Sequence, residues 1–334
     1  MTKYEQVQDH LRRSPKTWLV TGAAGFIGSH LVEALLKLDQ NVIGLDNFAT
    51  GKRENLVQVM KAAGPERRKS LRFIEGDIRS YETCRNACRN VDVVLHEAAI
   101  GSVPRSIEDP LETNATNING FVNMLTAARD AKVGRFVYAA SSSTYGDCKR
   151  IPMIEFEIGK PLSPYALTKY VDELYADIYA QCYGTQAIGL RYFNVFGPRQ
   201  DPAGAYAAVI PKWISALLHN GPLHINGDGS TSRDFCFVEN VVQANLLAAT
   251  VTDPEAINQV YNVARGEQTS LNELFAMIRM LLSSSYPAVS ERLPEYRDFR
   301  PGDMRISMAD ISKARTLLGY DPAWEVREGM KWAL

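Results

Sequence analysis

Short apolar runs alternate along this chain with longer stretches whose apolar residues recur at helical spacing, the pattern of strands interleaved with helices. Strands are predicted over residues 17–20, 41–46, 71–77, 91–96, 135–140 and 187–194. Helices are predicted from residue 29, over 117–132, from Ser163 to Tyr183, and over 239–249 and 270–282; a last one opens at 307–313 and ends at Gly319-Tyr-Asp-Pro322. At the start, Tyr4, Val7 and Leu11 stand at helical spacing among charges and stop at Ser14-Pro15, which reads as a short amphipathic helix lying on the domain. Residues 63–69 and 283–296 read as loops, and 223–233 as a hairpin edge. The alternation implies a parallel, doubly wound sheet with ligands outside the carboxyl ends of its strands.

The first strand empties into Gly22-Ala-Ala-Gly25-Phe26-Ile27-Gly28 before helical spacing resumes at Ser29. Such a turn uses one glycine for a backbone angle closed to other residues, one for close approach to a pyrophosphate and one for helix–strand packing. The free N–H groups of the helix start then face an anion. A bare strand-to-helix turn is the competing reading, and Asp46 weighs against it. It closes the second strand 18 residues after Gly28, where a carboxylate accepts from adenosine ribose hydroxyls and repels a 2′-phosphate. NAD is therefore expected over NADP; no arginine adjoins Asp46, and Lys52 and Arg53 lie farther along. At the third strand end, Asp77 and Ile78 suit the amine and face of an adenine, while Asp77 suits a helix N-cap equally well.

The fold class expected is α/β, a Rossmann-type doubly wound parallel sheet with a smaller α/β substrate-binding domain. Pro198, Pro202 and Gly204 mark departure from the sheet, and residues 235–264 return to it. The sheet domain is thus 1–197 with 235–264, and the smaller domain 198–234 with 265–334.

With 334 residues, 46% of them hydrophobic, the chain can bury a large core, and its net charge of −1 implies no pull toward nucleic acid or anionic membrane. Five scattered cysteines lack paired metal-ligand spacing and suit a reducing compartment; Cys84 and Cys88 read as one helix face. No apolar run reaches the roughly 18–20 residues of a membrane span, and the charged N-terminus does not suit a signal peptide, so a cytoplasmic location is expected.

Chemistry concentrates after the fifth strand. Ser141-Ser142-Ser143-Thr-Tyr-Gly146 ends it, and Ser163-Pro-Tyr165-Ala-Leu-Thr-Lys169 opens the next helix. Tyr165 and Lys169 are four apart and share one helix face. An ammonium beside a phenol favours the phenolate and draws its pKa from about 10 toward that of a working general base. Earlier, His96 closes the fourth strand and reads as structural, while small residues at Ala98, Ala99 and Gly101 leave room beside the strand end. Arg233 suits a phosphate, with a surface salt bridge as its plainer reading.

Over residues 16–334 the chain resembles the extended short-chain dehydrogenase/reductases, in particular the bacterial UDP-N-acetylglucosamine (UDP-N-acetylgalactosamine) 4-epimerases of surface-polysaccharide synthesis. The runs that carry the likeness include Thr-Gly-Ala-Ala-Gly-Phe-Ile-Gly-Ser29, Gly-Ser-Val-Pro-Arg-Ser106, Leu-Arg-Tyr-Phe-Asn-Val-Phe-Gly197 and Ala-Tyr-Ala-Ala-Val-Ile-Pro-Lys212. The resemblance implies that Tyr165 takes the proton of the sugar 4-hydroxyl and that Lys169 holds the nicotinamide ribose. One serine among Ser141, Ser142 and Ser143 polarises the sugar oxygen. Hydride leaves C4 for NAD, the 4-keto sugar turns over, and the hydride returns to its other face.

Cofactor positions are then Gly22, Gly25, Phe26, Ile27, Gly28, Asp46, Asn47, Asp77, Ile78, Glu97, Thr116, Tyr165, Lys169 and Val195. UDP-sugar positions are Gly101, Ser102, Ser141, Ser142, Asn194, Ala208, Val209, Lys212, Asn226, Arg233, Arg300 and Asp303. The family pairs the helix of 117–132 with that of 169–183 in a dimer seam, which implies a homodimer; Phe121, Met124, Val171, Leu174, Tyr175 and Ile178 are the apolar residues there. Relatives run on past Leu334 into an aromatic-rich helical segment, so a clipped or short member is expected, with the stability of the smaller domain at stake.

Gly101 stands where many UDP-galactose 4-epimerases carry a lysine, so Gly101-Ser102 implies space for a 2-acetamido group. Dehydratases of this branch show Asp-Glu where this chain has Ser-Ser-Thr144, which argues against dehydration. A plain-hexose 4-epimerase, a UDP-glucuronate decarboxylase, a 4-reductase and a non-catalytic nucleotide-sugar sensor remain the alternatives.

Overall fold

The computed structural model describes residues 1–202, 208–299 and 305–334. Helix α1 (Lys3–Arg13) starts at a Thr2/Glu5 capping box and turns Val7 and Leu11 inward. Strands and helices then alternate: β1 (Thr17–Thr21), α2 (Phe26–Lys37), β2 (Asn41–Asp46), α3 (Arg53–Arg67), β3 (Leu71–Glu75), α4 (Tyr81–Ala87) and β4 (Val93–His96). Next come α5 (Val103–Glu108), α6 (Pro110–Asn114), α7 (Gly120–Asp130), β5 (Arg135–Ser141), α8 (Pro164–Tyr183) and β6 (Ala187–Tyr192). The remainder is β7 (Val195–Phe196), α9 (Val209–Leu218), β8 (His224–Asn226), β9 (Ser232–Arg233), β10 (Cys236–Phe237), α10 (Val238–Thr250) and β11 (Val260–Val263). It closes with β12 (Thr269–Ser270), α11 (Leu271–Ser283), β13 (Glu295–Arg297), α12 (Ser312–Leu318) and α13 (Val326–Ala333).

Seven strands form one sheet in the order β11-β6-β5-β4-β1-β2-β3, and every pairing in it is parallel. The chain direction of the winding reverses between β1 and β4, where this architecture opens its ligand crevice. Alternate residues of the strands feed two cores. Trp18, Val20 and Val42 pack with Leu31, Leu35 and the α10 side chains on one face, and Leu19, Ile43, Val94 and Phe136 pack with Phe121 and Met124 on the other. Helix α10 is buried nearly all round, because it lies between the sheet and α1, α2 and α12. A third core, built on Trp213, Phe235, Phe237, Leu274, Ile278 and Met330, belongs to the smaller α/β region.

Several elements depart from the sequence reading. Helix α3 reaches into the polar stretch 63–69: Gly64 takes φ 82 and kinks it, and Pro65 starts the final turn. Residues 223–233 form no hairpin. Gly227 and Gly229, both at positive φ, turn the chain, but β8 pairs in parallel with β13 and β9 antiparallel with β12. The 283–296 stretch supplies that partner strand and a short 3-10 turn at Pro287–Glu291, and α13 follows the helix expected to be last. The helix expected over 117–132 begins with a wide π turn at Ala115–Asn119. Residues 309–320, grouped by sequence with the smaller domain, place Ala309, Ile311, Ala314, Leu318 and Tyr320 in the sheet's core. Phe121 and Met124 are core residues, whereas Leu174, Tyr175 and Ile178 are exposed. Among the described residues, no helix is long and apolar enough to cross a membrane.

Two buried charges tie the architecture together. Asp234 accepts backbone N–H groups of Arg265, Gly266 and Ala309, stitching the return segment to the late chain. Arg191 on β6 grips Glu173 on α8 through two bonds of 2.9 and 2.7 Å, donates to the Glu155 carbonyl, and lies 4.7 Å over the Tyr145 ring. Replacing Arg191 by Met strands the Glu173 carboxylate in a dry site. Urea denaturation should register a loss of about 3–5 kcal/mol, and the loss should shrink when Glu173 is replaced by Leu as well.

Candidate active site

The turn after β1 is built on backbone contact. Gly22 has φ +66, and a Cβ there would sit 2.9 Å from the Ala98 nitrogen; a Cβ on Gly28 would sit 2.0 Å from the Gly22 carbonyl oxygen. Gly25 is the N-cap of α2 and offers no side chain, so the first N–H groups of that helix are left for a ligand. Phe26 and Ile27 begin the helix and are half-buried.

Asp46 ends β2 as a buried carboxylate. Its oxygens accept from Ala24 N at 2.9 Å and Phe48 N at 2.7 Å. Burial pushes its pKa up, while these backbone N–H groups hold it down. Asn47 donates to Asp77, and Arg79 clasps Asp77 from the other side, holding that carboxyl down at about 2. The N-cap role for Asp77 does not hold, because Ser80 caps α4 by accepting from Thr83 N. The Ile78 side chain packs on Gly120, and its carbonyl accepts from Asn123.

At the end of β4, His96 bonds to Thr21 Oγ1 at 2.9 Å and stacks on Phe136; burial drives its pKa down to about 3, so it stays neutral. Thr21 Oγ1 also receives the Ala98 N–H. Glu97 accepts from Tyr192 Oη at 2.8 Å, and Tyr192 Oη accepts from Asn245, which straps β4 to β6 and α10. Desolvation raises the Glu97 carboxyl to about 7 against the pull of Tyr192 and Lys169.

Helix α8 carries Tyr165 and Lys169, the pair singled out in the sequence, along the same edge of the sheet. Ser163 caps it, and Ser106 Oγ receives the Tyr165 N–H. Lys169 is buried; its Nζ donates to the Ala139 carbonyl of β5 at 2.9 Å and to Asp172 at 3.3 Å. That anchors it beside the serine cluster, in which Ser141 Oγ and Ser143 Oγ are 2.8 Å apart and Ser141 Oγ receives the Ser143 N–H. The loop after β4 is held by Asn117, which exchanges two hydrogen bonds with Ile100 and donates to Thr168 on α8. Sequence reading passed over Asn117, Asp172 and Tyr192. Asn117 is one of three asparagines, with Asn119 and Asn123, along 117–132, and nothing in the spacing singles it out.

Gly101 is exposed, and a Cβ built there meets nothing within 4 Å. Ser102 caps α5, accepting from Arg105 N. Thr116 lies in the π turn, and Val195 offers its carbonyl to Gln200. Asn194, at φ 32, donates to the Asp234 carbonyl and so faces the smaller region. There Ala208 and Val209 start α9, Lys212 is exposed one turn on, Asn226 ends β8, and Arg233 donates to the Ser232 carbonyl. Arg300, Asp303 and Gly204 lie outside the described residues.

The sequence profile of the NAD dependent epimerase/dehydratase family matches residues 18–264. The chain belongs to this family. A UDP-glucose 4-epimerase of Mycolicibacterium smegmatis is 38% identical over 314 residues, spanning 93% of this chain and 95% of the relative. The structure of a UDP-N-acetylglucosamine 4-epimerase from Methanobrevibacter ruminantium, in complex with UDP-N-acetylmuramic acid, is similar at TM-score 0.85 and 38% identity, covering 95% of this chain and 98% of that one. A Thermus thermophilus UDP-glucose 4-epimerase in complex with NAD matches at TM-score 0.79 and 34% identity over 95% and 97% of the two chains. NAD is the cofactor of this epimerase/dehydratase family member. The glycine cradle that any Cβ would fill and the buried Asp46 carboxylate fit its pyrophosphate and adenosine ribose.

The buried carboxyls set a pH dependence. Glu97, Asp172 and Asp234 are each raised by burial to about 7, above the values of 4.5 or 3.8 that they take when solvated. A raised acid favours the folded state while protonated, so its contribution is complete below the unfolded value and fades as pH climbs through 7. The Tm of the cofactor-free protein should fall between about pH 5 and about pH 8, and Glu97→Gln should flatten part of that slope.

Proposed function

We propose that the protein is an NAD-dependent 4-epimerase of UDP-N-acetylglucosamine and UDP-N-acetylgalactosamine, inverting C4 through a 4-keto sugar. Family membership and the 4-epimerases among the similar proteins support nucleotide-sugar 4-epimerisation. The observation that carries the N-acetyl preference is the open space at Gly101 beside the Ser102 hydroxyl, at the crevice end of the sheet.

NAD, held by the Gly22–Gly28 turn and Asp46, supplies hydride acceptance and return at C4. Tyr165 accepts the proton of the sugar 4-hydroxyl and hands it back once the opposite face has been reduced. Lys169, pinned to Ala139, presents its ammonium from one turn along the same helix and supports proton transfer at Tyr165. The Ser141–Ser143 hydroxyl pair donates to the sugar oxygen as charge develops there. Asn194 serves the diphosphate or sugar and Arg233 the phosphate, and Ala208, Val209 and Lys212 wall the nucleotide with Asn226 at the end of β8.

A second reading, UDP-glucose/UDP-galactose 4-epimerase, draws on the name of the Mycolicibacterium relative. Incubation with UDP-N-acetylglucosamine and no added cofactor, followed by chromatography of the UDP-sugars, should yield UDP-N-acetylgalactosamine. Loss of water from the sugar or no conversion would defeat the proposal, as would release of carbon dioxide from UDP-glucuronate in a parallel incubation. A Cβ at Gly101 meets no protein atom within 4 Å, so Gly101→Lys bears on the pocket more than on the fold. It should lower N-acetylated turnover relative to plain-hexose turnover at least tenfold, about 1.4 kcal/mol of differential transition-state binding; an unchanged ratio counts against it.

The stripe of Leu167, Leu174, Tyr175 and Ile178 on the exposed side of α8 supports a homodimer seam. Sedimentation should find a dimer, and Ile178→Arg should convert it to monomer.

A further inference from the structure

Beside Lys169 stands an acid whose presence packing does not explain. Asp172 is 1% exposed; one oxygen lies 3.3 Å from Lys169 Nζ, and the other is buried with no hydrogen-bond partner. The neighbouring Glu173 shows what a structural pair looks like here, with both oxygens taken by Arg191. An orphaned buried oxygen costs stability, and an apolar side chain of similar volume would avoid that cost. The carboxyl does, however, adjoin the one ammonium that the proposed chemistry needs.

We propose that Asp172 is a positioning residue for proton transfer: it holds Lys169 Nζ against the Ala139 carbonyl and, by its charge, sets how strongly that ammonium acidifies Tyr165. The inference rests on the roles given above to Tyr165 and Lys169.

The other charged groups around this point are already engaged. On α8, Glu173 is paired with Arg191 of β6 while its charge still helps to raise Asp172, and the exposed Asp177 accepts from Gln181 and bears on Tyr138. Tyr138 of β5 is held protonated by burial and by the carboxylates beside it. His96 stays neutral, and Glu97, hydrogen-bonded by Tyr192, faces Lys169 from the end of β4. Asp172 is thus the direct counter-charge of Lys169. Burial lifts it to about 7 against the lysine's attraction. While Asp172 is ionised, it cancels part of the lysine's field at the phenol; once protonated, it leaves that field whole. The charge on Asp172 and the field of the Lys169 ammonium therefore act in opposite senses on whatever Lys169 faces.

The test uses the full-length, NAD-loaded protein with Asp172→Asn. Two curves are read against pH: kcat, and the near-ultraviolet tyrosinate absorbance of each protein minus that of its Tyr165→Phe counterpart, which needs no substrate. Asp172→Asn should move the acid limb of kcat and the Tyr165 midpoint down by about one pH unit, and Asp172→Glu should keep both near wild type. Superimposable midpoints overturn the proposal, as does a fall in kcat with no shift, the mark of a purely structural part. If Asp172→Asn does not fold, Asp172→Ser is read by the same two curves. Wild-type turnover by Tyr165→Phe would instead overturn the roles of Tyr165 and Lys169, a failure separate from that of Asp172.

Discussion

Everything at the crevice depends on how closely three stretches of bare backbone approach one another after β1. The Gly28 α-carbon faces the Gly22 carbonyl, and Gly22 in turn faces the peptide after Glu97, at separations that leave no volume for a methyl group. That contact sets the start of α2 against the ends of β1 and β4, so the helix N–H groups point where the winding reverses. It also brings the Ala24 N–H onto Asp46, so one turn shapes both the glycine cradle and the setting of the carboxylate that closes β2. Side chains elsewhere tune the site; this contact decides whether there is one.

The second organising feature is charge kept out of water along α8. Glu173, Asp172 and Lys169 all point inward, and each meets a different answer: Arg191 for the first, the lysine for the second, a β5 carbonyl as well as Asp172 for the third. A helix face of this kind is costly as packing, since apolar residues of equal volume would serve stability as well or better. Its result is an ammonium held in a medium of low dielectric, where its field on any adjoining group is stronger than it would be in water.

How legible these features are in the sequence depends on how locally they are encoded. Apolar runs at 41–46 and 135–140 read directly as strands, and the spacing of Gly22, Gly25 and Gly28 reads as a phosphate turn, because each involves neighbours in the chain. The pairing of β8 with β13 does not read, since two- and three-residue strands carry too few alternations and their partner lies far off in sequence. The π turn at Ala115–Asn119 is invisible for another reason: it is a change of hydrogen-bond register, which apolar spacing does not record. Asp172 looks like part of a solvated helix face, and only burial separates it from a surface charge. Tyr165, Lys169 and the serines stand out by their order along the chain, whereas Asn117 and Tyr192 act through partners that no spacing rule names.

The seventh strand comes late. β11 pairs with β6, and α10, made just before it, roofs the sheet and receives α1 from the very start of the chain. During synthesis, a chain that has emerged only through β6 therefore exposes an unpaired apolar strand edge and an uncovered sheet face. The two halves of the sheet domain cannot mature separately, so the nascent protein must carry sticky surface until residues beyond 260 leave the ribosome, a window in which chaperones rather than its own contacts keep it from aggregating.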